Sequence, residues 1–250
     1  MNFINIDEKF KKYKEIELSK ELLRDLREDL IIKWTYNSNA IEGNTIDMYQ
    51  TKVLLEDGIT IGGKTMKEHL EIINHAEAIK YIEEIVEKKI SLNEYEIKNI
   101  HGLVTKGIED IDSGKYRDTQ VQIVGANFIP IPPYLVKEKM EELISWHKES
   151  EQHPIEKSSI LHGEFVKIHP FKDGNGRTAR LLLNFELMRN SYPPIIINKE
   201  ERENYYRTLD TGSVTGNWEE FINFIAVKVD ERVEYINKFK EEEIKINKII

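Results

Sequence analysis

The stretch HPFKDGNGRTAR, residues 169 to 180, puts an imidazole, a carboxylate, a Gly-Asn-Gly turn and two guanidinium groups within twelve positions. An imidazole titrates near pH ~6.5, so His169 can take a proton from a hydroxyl and is a candidate general base. Gly174, Asn175 and Gly176 precede the run TARLLLNFELMRN, whose Ala179, Leu182, Leu183, Leu187 and Met188 recur at helical spacing. The turn therefore stands at a helix N-terminus. There, unpaired N–H groups and the positive end of the dipole favour an anion, and glycine lets a phosphate approach the backbone closely. Arg177 and Arg180, three apart on the first turn, can add charge-assisted contacts to phosphate oxygens. A carboxylate beside such an anion is unfavourable unless a cation intervenes, which makes Asp173 a candidate Mg²⁺ ligand. Base, metal ligand and anion hole together point to chemistry on a polyphosphate.

Each of these features is common by itself, and their coincidence inside one short segment carries the reading. Other phosphate motifs fit worse. The chain has no G-x-x-x-x-G-K-[ST] loop and no strand followed by G-x-G-x-x-G. A zinc hydrolase built on His147, His153, His162 and His169 lacks the H-E-x-x-H spacing. With no cysteine anywhere, thiolate zinc sites and disulfides are excluded.

The elements that must position this segment are mostly helical. Apolar residues at Leu22, Leu23, Leu26, Leu30 and Ile31 predict a helix from Leu18 to about Asn37. SNAIEGNT then reads as an interruption or short helix, and a second helix runs from Met48 to Leu55, closed by Asp57-Gly58. Further helical patterns cover Lys67 to Lys88, Ser91 to Val104, Val136 to Glu149, Ile155 to Val166, Gly176 to Arg189, Lys199 to Thr208, and Trp218 toward the end. Pro170 forces the chain out of the helix that precedes His169. TQVQIVGANFIPIPP alternates around Val121 and Ile123, turns at Gly125-Ala126-Asn127 and resumes at Phe128, Ile129 and Ile131, which predicts a β-hairpin. The expected class is all-α with one small hairpin, in a single domain over residues 1–250.

A net charge of −9 argues against a dedicated nucleic-acid or anionic-membrane binder. No apolar run reaches the ~18 residues that a spanning helix needs. The N-terminus mixes both charge signs and lacks the apolar core of a secretory signal, so a cytoplasmic location is expected.

The segment from His169 to Arg180 resembles, position by position, the HPFx[D/E]GNGRxxR motif of the Fic family. That resemblance implies a Fic-type helical bundle with a β-hairpin flap, and transfer of AMP from ATP to a Ser, Thr or Tyr hydroxyl of a target protein or of the chain itself. It implies His169 as the general base, Phe171 as packing for the loop and Asp173 as the Mg²⁺ ligand. Gly174, Asn175 and Gly176 would form the anion hole, and Arg177 and Arg180 would contact the phosphates. GKYRDTQVQIVGANFIPIPP resembles the family's flap, in which Val121, Gln122, Ile123 and Val124 would align the target by main-chain pairing. SNAIEGN resembles the inhibitory pattern [S/T]xxxE[G/N], with Ser38 and Glu42 in the matching places. It would lie in an N-terminal inhibitory segment at about 35–57, ahead of a core at about 67–235. A bidentate bridge from Glu42 to Arg180, supported by Ser38, would deny the γ-phosphate its partner and spoil in-line attack at the α-phosphorus.

ENYYRTLDTGSVTGNWEEF resembles the region flanking the adenosine, with Tyr205 and Tyr206 as contacts and Ser213 where the family pattern often has Asn. A Doc-type phosphotransferase would carry Lys in place of Gly176. A de-adenylylating or nucleotide-sensing module on the same fold is the remaining alternative. Family analogy also admits a homodimer.

Overall fold

The computed structural model describes residues 3–15, 19–109 and 111–247. Among them the regular structure is helical. The helices in chain order are α1 (Ile4–Glu15), α2 (Lys20–Ile41), α3 (Met48–Asp57), α4 (Met66–Glu87), α5 (Glu94–Val104), α6 (Val136–Glu149), α7 (Pro154–Ile168), α8 (Asn175–Arg189), α9 (Arg202–Thr215) and α10 (Glu219–Asn247). No helix among the described residues is long and apolar enough to cross a membrane.

Local chemistry explains the boundaries. Asp47 and Thr65 each form a capping box, with Gln50 and Glu68 respectively, and so start α3 and α4. Gly58 ends α3 in the left-handed conformation at φ 68°. Asn93, not Ser91, opens the fifth helix, because its side chain accepts from the Glu96 N–H at 3.0 Å. Pro154 occupies the first turn of α7, where its missing N–H costs nothing.

The pair α7 and α8 forms the centre. Its apolar faces join α4, α5 and α6 in one cluster that includes Ile79, Ile82, Ile97, Phe165, Leu182 and Phe185. On the other side, Leu183 and Leu187 of α8 pack with Phe3, Phe10, Tyr205, Phe221 and Val233, so helices from both ends of the chain share a second cluster. α8 is buried nearly all round, which is why its pattern is apolar on more than one face.

Four expectations change. The helix expected to stop near Asn37 continues to Ile41, so SNAI is its last turn and Glu42 its C-cap. That turn is buried at Tyr36, Asn37, Ser38 and Asn39, and tertiary packing holds residues of modest helix propensity in place. The expected start at Leu18 lies outside the described residues, as do the last three residues of the closing segment. α1 lies in a stretch for which no helix was expected, and the ninth helix runs on to Thr215.

The fourth change concerns the flap, residues 119–131. It reverses direction, with the Ala126 N–H donating to the Ile123 carbonyl at 3.2 Å, but its arms form no strand ladder. Val121, Gln122 and Ile123 therefore have no strand partners, and Val124 stands in the turn itself. Pro130 has no N–H to offer, the Gln120 side chain takes the Pro130 carbonyl at 2.9 Å, and Arg117 takes those of Thr119 and Ile131. A lone two-stranded pairing is marginal in water even without such competition.

Trp218 fixes α10 against α7 and α9. Its indole N–H donates to Glu164 Oε1 at 2.7 Å, and its ring lies where a Cβ on Gly163 or Gly212 would stand, at 2.5 and 2.2 Å. Gly212→Ala should therefore lower stability by about 1–2 kcal/mol, overpacking outweighing the helix-propensity gain of about 1 kcal/mol. Urea unfolding measures this directly; an unchanged or higher midpoint would show that the ring has room to move.

Candidate active site

The loop between α7 and α8 is held by its own residues. His169 closes α7 in the left-handed conformation at φ 52°, ψ 60°, and its N–H donates to the Phe165 carbonyl at 3.0 Å. A non-glycine residue adopts this conformation only where its surroundings enforce it. The Asn175 side chain turns back on the loop, receiving the Phe171 N–H at 3.0 Å and donating to the Phe171 carbonyl at 2.9 Å. Its amide thus braces the loop. Phe171 is fully buried and stacks on His101 at 3.6 Å. His101 Nδ1 accepts from the Gly114 N–H at 2.9 Å, so its Nε2 carries the proton donated to the Asp173 carbonyl, also at 2.9 Å. Nothing in the spacing of the sequence singles out His101, because it acts from a different helix.

Gly174 is the N-cap of α8 at φ 77°, and no side chain caps the helix. A Cβ there would meet Thr105 Cγ2 at 2.9 Å, so both conformation and space require glycine. The first turn of α8 consequently presents its N–H groups without a protein side chain to take them.

Glu42 stands over that turn. A Cβ on Gly176 would lie 2.2 Å from Glu42 Oε1, and the same oxygen accepts from Arg180 Nη2 at 2.7 Å. The bridge uses one carboxylate oxygen and is not the expected bidentate pair. Arg180, 3% exposed, is satisfied on further sides by the Ser38 hydroxyl to Nε at 3.0 Å, the Ser38 carbonyl to Nη2 at 2.7 Å and the Tyr205 hydroxyl to Nη1 at 3.2 Å. Having accepted from Arg180, the Tyr205 hydroxyl has its own proton left for His162 Nε2, 3.0 Å away. Burial alone would pull the Arg180 pKa down, and the oxygens of Tyr205 and Glu42 more than reverse this.

Arg177 departs from its expected place among the phosphate contacts. Its guanidinium is buried, 3.1 Å from Glu71 Oε1 and 3.4 Å from Asp173 Oδ1. It orders the acid and is not presented to solvent. Asp173 Oδ1 also accepts the Gly174 N–H at 2.5 Å, while Oδ2 lies 3.6 Å from Lys67 Nζ. Burial raises the Asp173 pKa, but Arg177, the Gly174 N–H and Lys67 outweigh it and hold the carboxyl below its usual range. No cluster of three metal-ligating side chains occurs among the described residues. One ionised, 43% exposed carboxylate beside an uncapped helix N-terminus suits Mg²⁺, which keeps waters and binds through one carboxylate plus phosphates.

Tyr205 and Tyr206 divide in role. Tyr205, expected as an adenosine contact, is buried in the second cluster and reaches the site only through its hydroxyl. Tyr206 is 38% exposed and lines an open groove with Gly125 and Asn127 of the flap, Lys199, Arg202 and Asp210. Asn127 closes one side of that groove, its backbone N–H and its amide donating to the two Asp210 oxygens at 2.7 and 2.6 Å. Ser213 is buried in α9, and its hydroxyl makes no hydrogen bond.

Burial lowers the His169 pKa to about 4; the Val166 carbonyl, Glu42 and Asp173 pull the other way, and Arg117 adds to the depression. Nδ1 is buried without a well-aligned hydrogen bond, so the Val166 carbonyl acts on the ring mainly through its dipole. His169 is therefore neutral at pH 7 and can accept a proton.

Three comparisons bear on this arrangement. The model of the Fic/DOC family matches residues 91–187. The chain is 34% identical over 236 residues to protein adenylyltransferase fic-1 of Caenorhabditis briggsae, covering 91% of this chain and 45% of that protein. It is 36% identical over 225 residues to protein adenylyltransferase Fic of Nematostella vectensis, covering 88% of this chain and 52% of the relative. The chain thus spans about half the length of the curated relatives it matches. Among solved structures, a Fic domain containing signaling protein from Bacteroides thetaiotaomicron superposes with a TM-score of 0.88 at 28% identity, covering 95% of this chain and 97% of the other. Residues 134–508 of Fic-1 from C. elegans give a TM-score of 0.86 at 31% identity, covering 96% and 72%.

The buried histidines set a pH dependence of stability. His101 and His169 fall to about 4 and His75 and His162 well below their ordinary value, in each case foremost through burial. Between pH ~6.5 and 4 the unfolded chain binds protons that the folded chain refuses, so stability is present above that window and is lost as the pH falls through it. The urea midpoint should fall from pH 6.5 to 5, and His162→Gln should reduce the slope by up to about 1.4 kcal/mol per pH unit. A midpoint flat across that range would contradict the neutral, buried state of these rings.

Proposed function

The chain belongs to the Fic/DOC family, and on that premise we propose that it is a protein adenylyltransferase held in check by its own Glu42. The supporting observation is the uncapped first turn of α8, with Glu42 above it and neutral His169 at the end of the preceding helix. The substrate is ATP, and the acceptor is a hydroxyl of a target protein or of the chain itself.

In the proposed reaction the triphosphate lies against the N–H groups of α8, with adenosine toward the groove beside Tyr206. The hydroxyl oxygen of the acceptor attacks the α-phosphorus, its proton passes to His169, the bond to the β-phosphate oxygen breaks, and pyrophosphate leaves. Asp173 would hold Mg²⁺, which when bound neutralises charge on the phosphates. Arg177, the Gly174 N–H and Lys67 keep that carboxylate ionised, Glu71 holds Arg177 in place, and Asn175 and Phe171 keep the loop from shifting. Arg180 is the cation for the terminal phosphate, and Glu42 competes for it. A carboxylate 2.7 Å from Arg180 and close above Gly176 repels that phosphate and turns ATP away from in-line geometry.

Two variants test this. Glu42→Gly should raise incorporation of AMP, read by intact-protein mass spectrometry with ATP and Mg²⁺, by on the order of 100-fold, the scale on which one preorganised charge contact acts. Adding His169→Ala to that variant should cut the rate by roughly 10²–10⁴, the range for a positioned base. No gain with Glu42→Gly despite ATP binding would reject the brake, and a phosphate-sized mass would reassign the chemistry to phosphoryl transfer.

A further inference from the structure

Arg117 lies outside the 169–180 segment and is only 2% exposed. Its guanidinium has no carboxylate partner among the described residues; every acceptor is a main-chain carbonyl. Nε donates to His169 O at 2.8 Å, Nη1 to Thr119 O at 3.1 Å, and Nη2 to Ile131 O and, at 3.4 Å, to Ile168 O. Its own N–H donates to Pro170 O at 2.9 Å. These acceptors belong to two structures. Thr119 and Ile131 are where the flap leaves and returns, and Ile168 and His169 are the last residue and the C-cap of α7.

Burying a cation without a counter-ion is unfavourable, and burial does lower the Arg117 pKa. Two features offset it. The carbonyls at the C-terminus of α7 lack intrahelical donors and carry the negative end of the helix dipole, so a cation there is well placed. A planar fork with five N–H groups can also serve four carbonyls from different directions, which the single ammonium of lysine cannot. Stability alone does not call for a charge at this junction, because burying a charge, even a paired one, seldom outperforms apolar packing. What the guanidinium supplies is geometry.

We propose that Arg117 is a positioning residue that locks both ends of the flap to the backbone of His169. A target segment lying along the flap and the imidazole that takes its proton are then held in one frame. The functional half of this proposal rests on the transfer reading above; the structural half stands without it.

The test uses Arg117→Lys, alone and combined with Glu42→Gly, with two readouts. The first is cleavage by thermolysin between residues 121 and 129 under native conditions. With the clamp weakened, cutting should be at least about ten-fold faster than in the parent, because the flap then opens without global unfolding. Cutting within two-fold of the parent would overturn the clamp, whatever the activity. Should Arg117→Lys fail to fold, the unchanged protein decides: a clamped flap is cut with the full urea dependence of global unfolding, and a flap cut readily without urea refutes the clamp. The second readout is AMP transfer in the Glu42→Gly background. Arg117→Lys should lower kcat about ten-fold or more with KM for ATP within two-fold, whereas general damage to the fold would move both. Faster cutting with unchanged kcat would reject the functional half. If Glu42→Gly transfers no AMP at all while the flap is released by Arg117→Lys, the transfer reading fails and the clamp survives.

Discussion

A guanidinium buried in the middle of a helical protein must find acceptors, and Arg180 sets the terms for the rest of the site. It projects from α8, the most enclosed helix, and finds its acceptors on two others. The last turn of α2 supplies the Ser38 hydroxyl, the Ser38 carbonyl and Glu42, and α9 supplies Tyr205. That need accounts for the path of α2, whose polar final turn is buried although its residues favour caps and loops over helix interiors. Arg177, three residues earlier, repeats the pattern with Glu71 of α4 and Asp173 of the loop. Two buried arginines on one helix thus bind two acids contributed by two other helices. Asn44 joins those acids' supports, donating to Glu71 Oε2 at 2.9 Å and to the Glu68 carbonyl at 3.1 Å just beyond Glu42. The segment holding Glu42 and the segment holding the candidate metal ligand are therefore joined through hydrogen bonds at Asn44 and Asp173 and the Glu71–Arg177 ion pair between them.

The four contacts to Arg180 are unequal in a way that bears on regulation. Three come from neutral oxygens, and the carboxylate comes from the C-cap residue of α2, followed by Gly43 at φ 98°. A C-cap side chain can swing aside without unwinding the helix behind it. Ser38, one turn back inside the buried turn, cannot. When Glu42 withdraws, Arg180 keeps its Ser38 and Tyr205 bonds, so its position is preserved and one N–H becomes available. In the proposed enzyme the brake is thus separable from the cation it masks, and activation calls for a local rearrangement of the α2–α3 turn without repacking α8.

How much of this was legible in the sequence follows from where each signal is encoded. The 169–180 segment was readable because its residues act close to where they stand in the chain: a helix end, a glycine N-cap and a buried helix face are local properties. Most helices were readable for the same reason, through caps and apolar spacing. What escaped depends on contacts between distant segments. α2 runs through Ser38 because of burial against α8, which no window of α2 contains. Arg177 resembles a phosphate ligand in sequence and becomes an internal partner for Glu71 only when α4 packs alongside. The flap alternates like a hairpin, but Arg117, the Gln120 side chain and prolines displace the ladder its pattern suggests. His101 and Arg117 left no signal, because each serves the loop from another element.

The depressed pKa of His169 completes the physical logic. A base near 4 is fully neutral at pH 7 but accepts a proton only weakly. Its depression comes first from burial, a penalty on the charged imidazolium that a nearby negative charge relieves. In the proposed reaction the triphosphate brings that charge to the α8 N-terminus, while Arg180 and the helix dipole draw the terminal phosphate into line. The histidine would then become basic enough only with a nucleotide seated beside it. Glu42 is negative too and already raises the ring's pKa slightly, yet it stands where the phosphate must go. In the proposed enzyme one carboxylate would therefore imitate the electrostatics of the substrate while excluding its geometry, leaving an intact, preorganised site that cannot turn over.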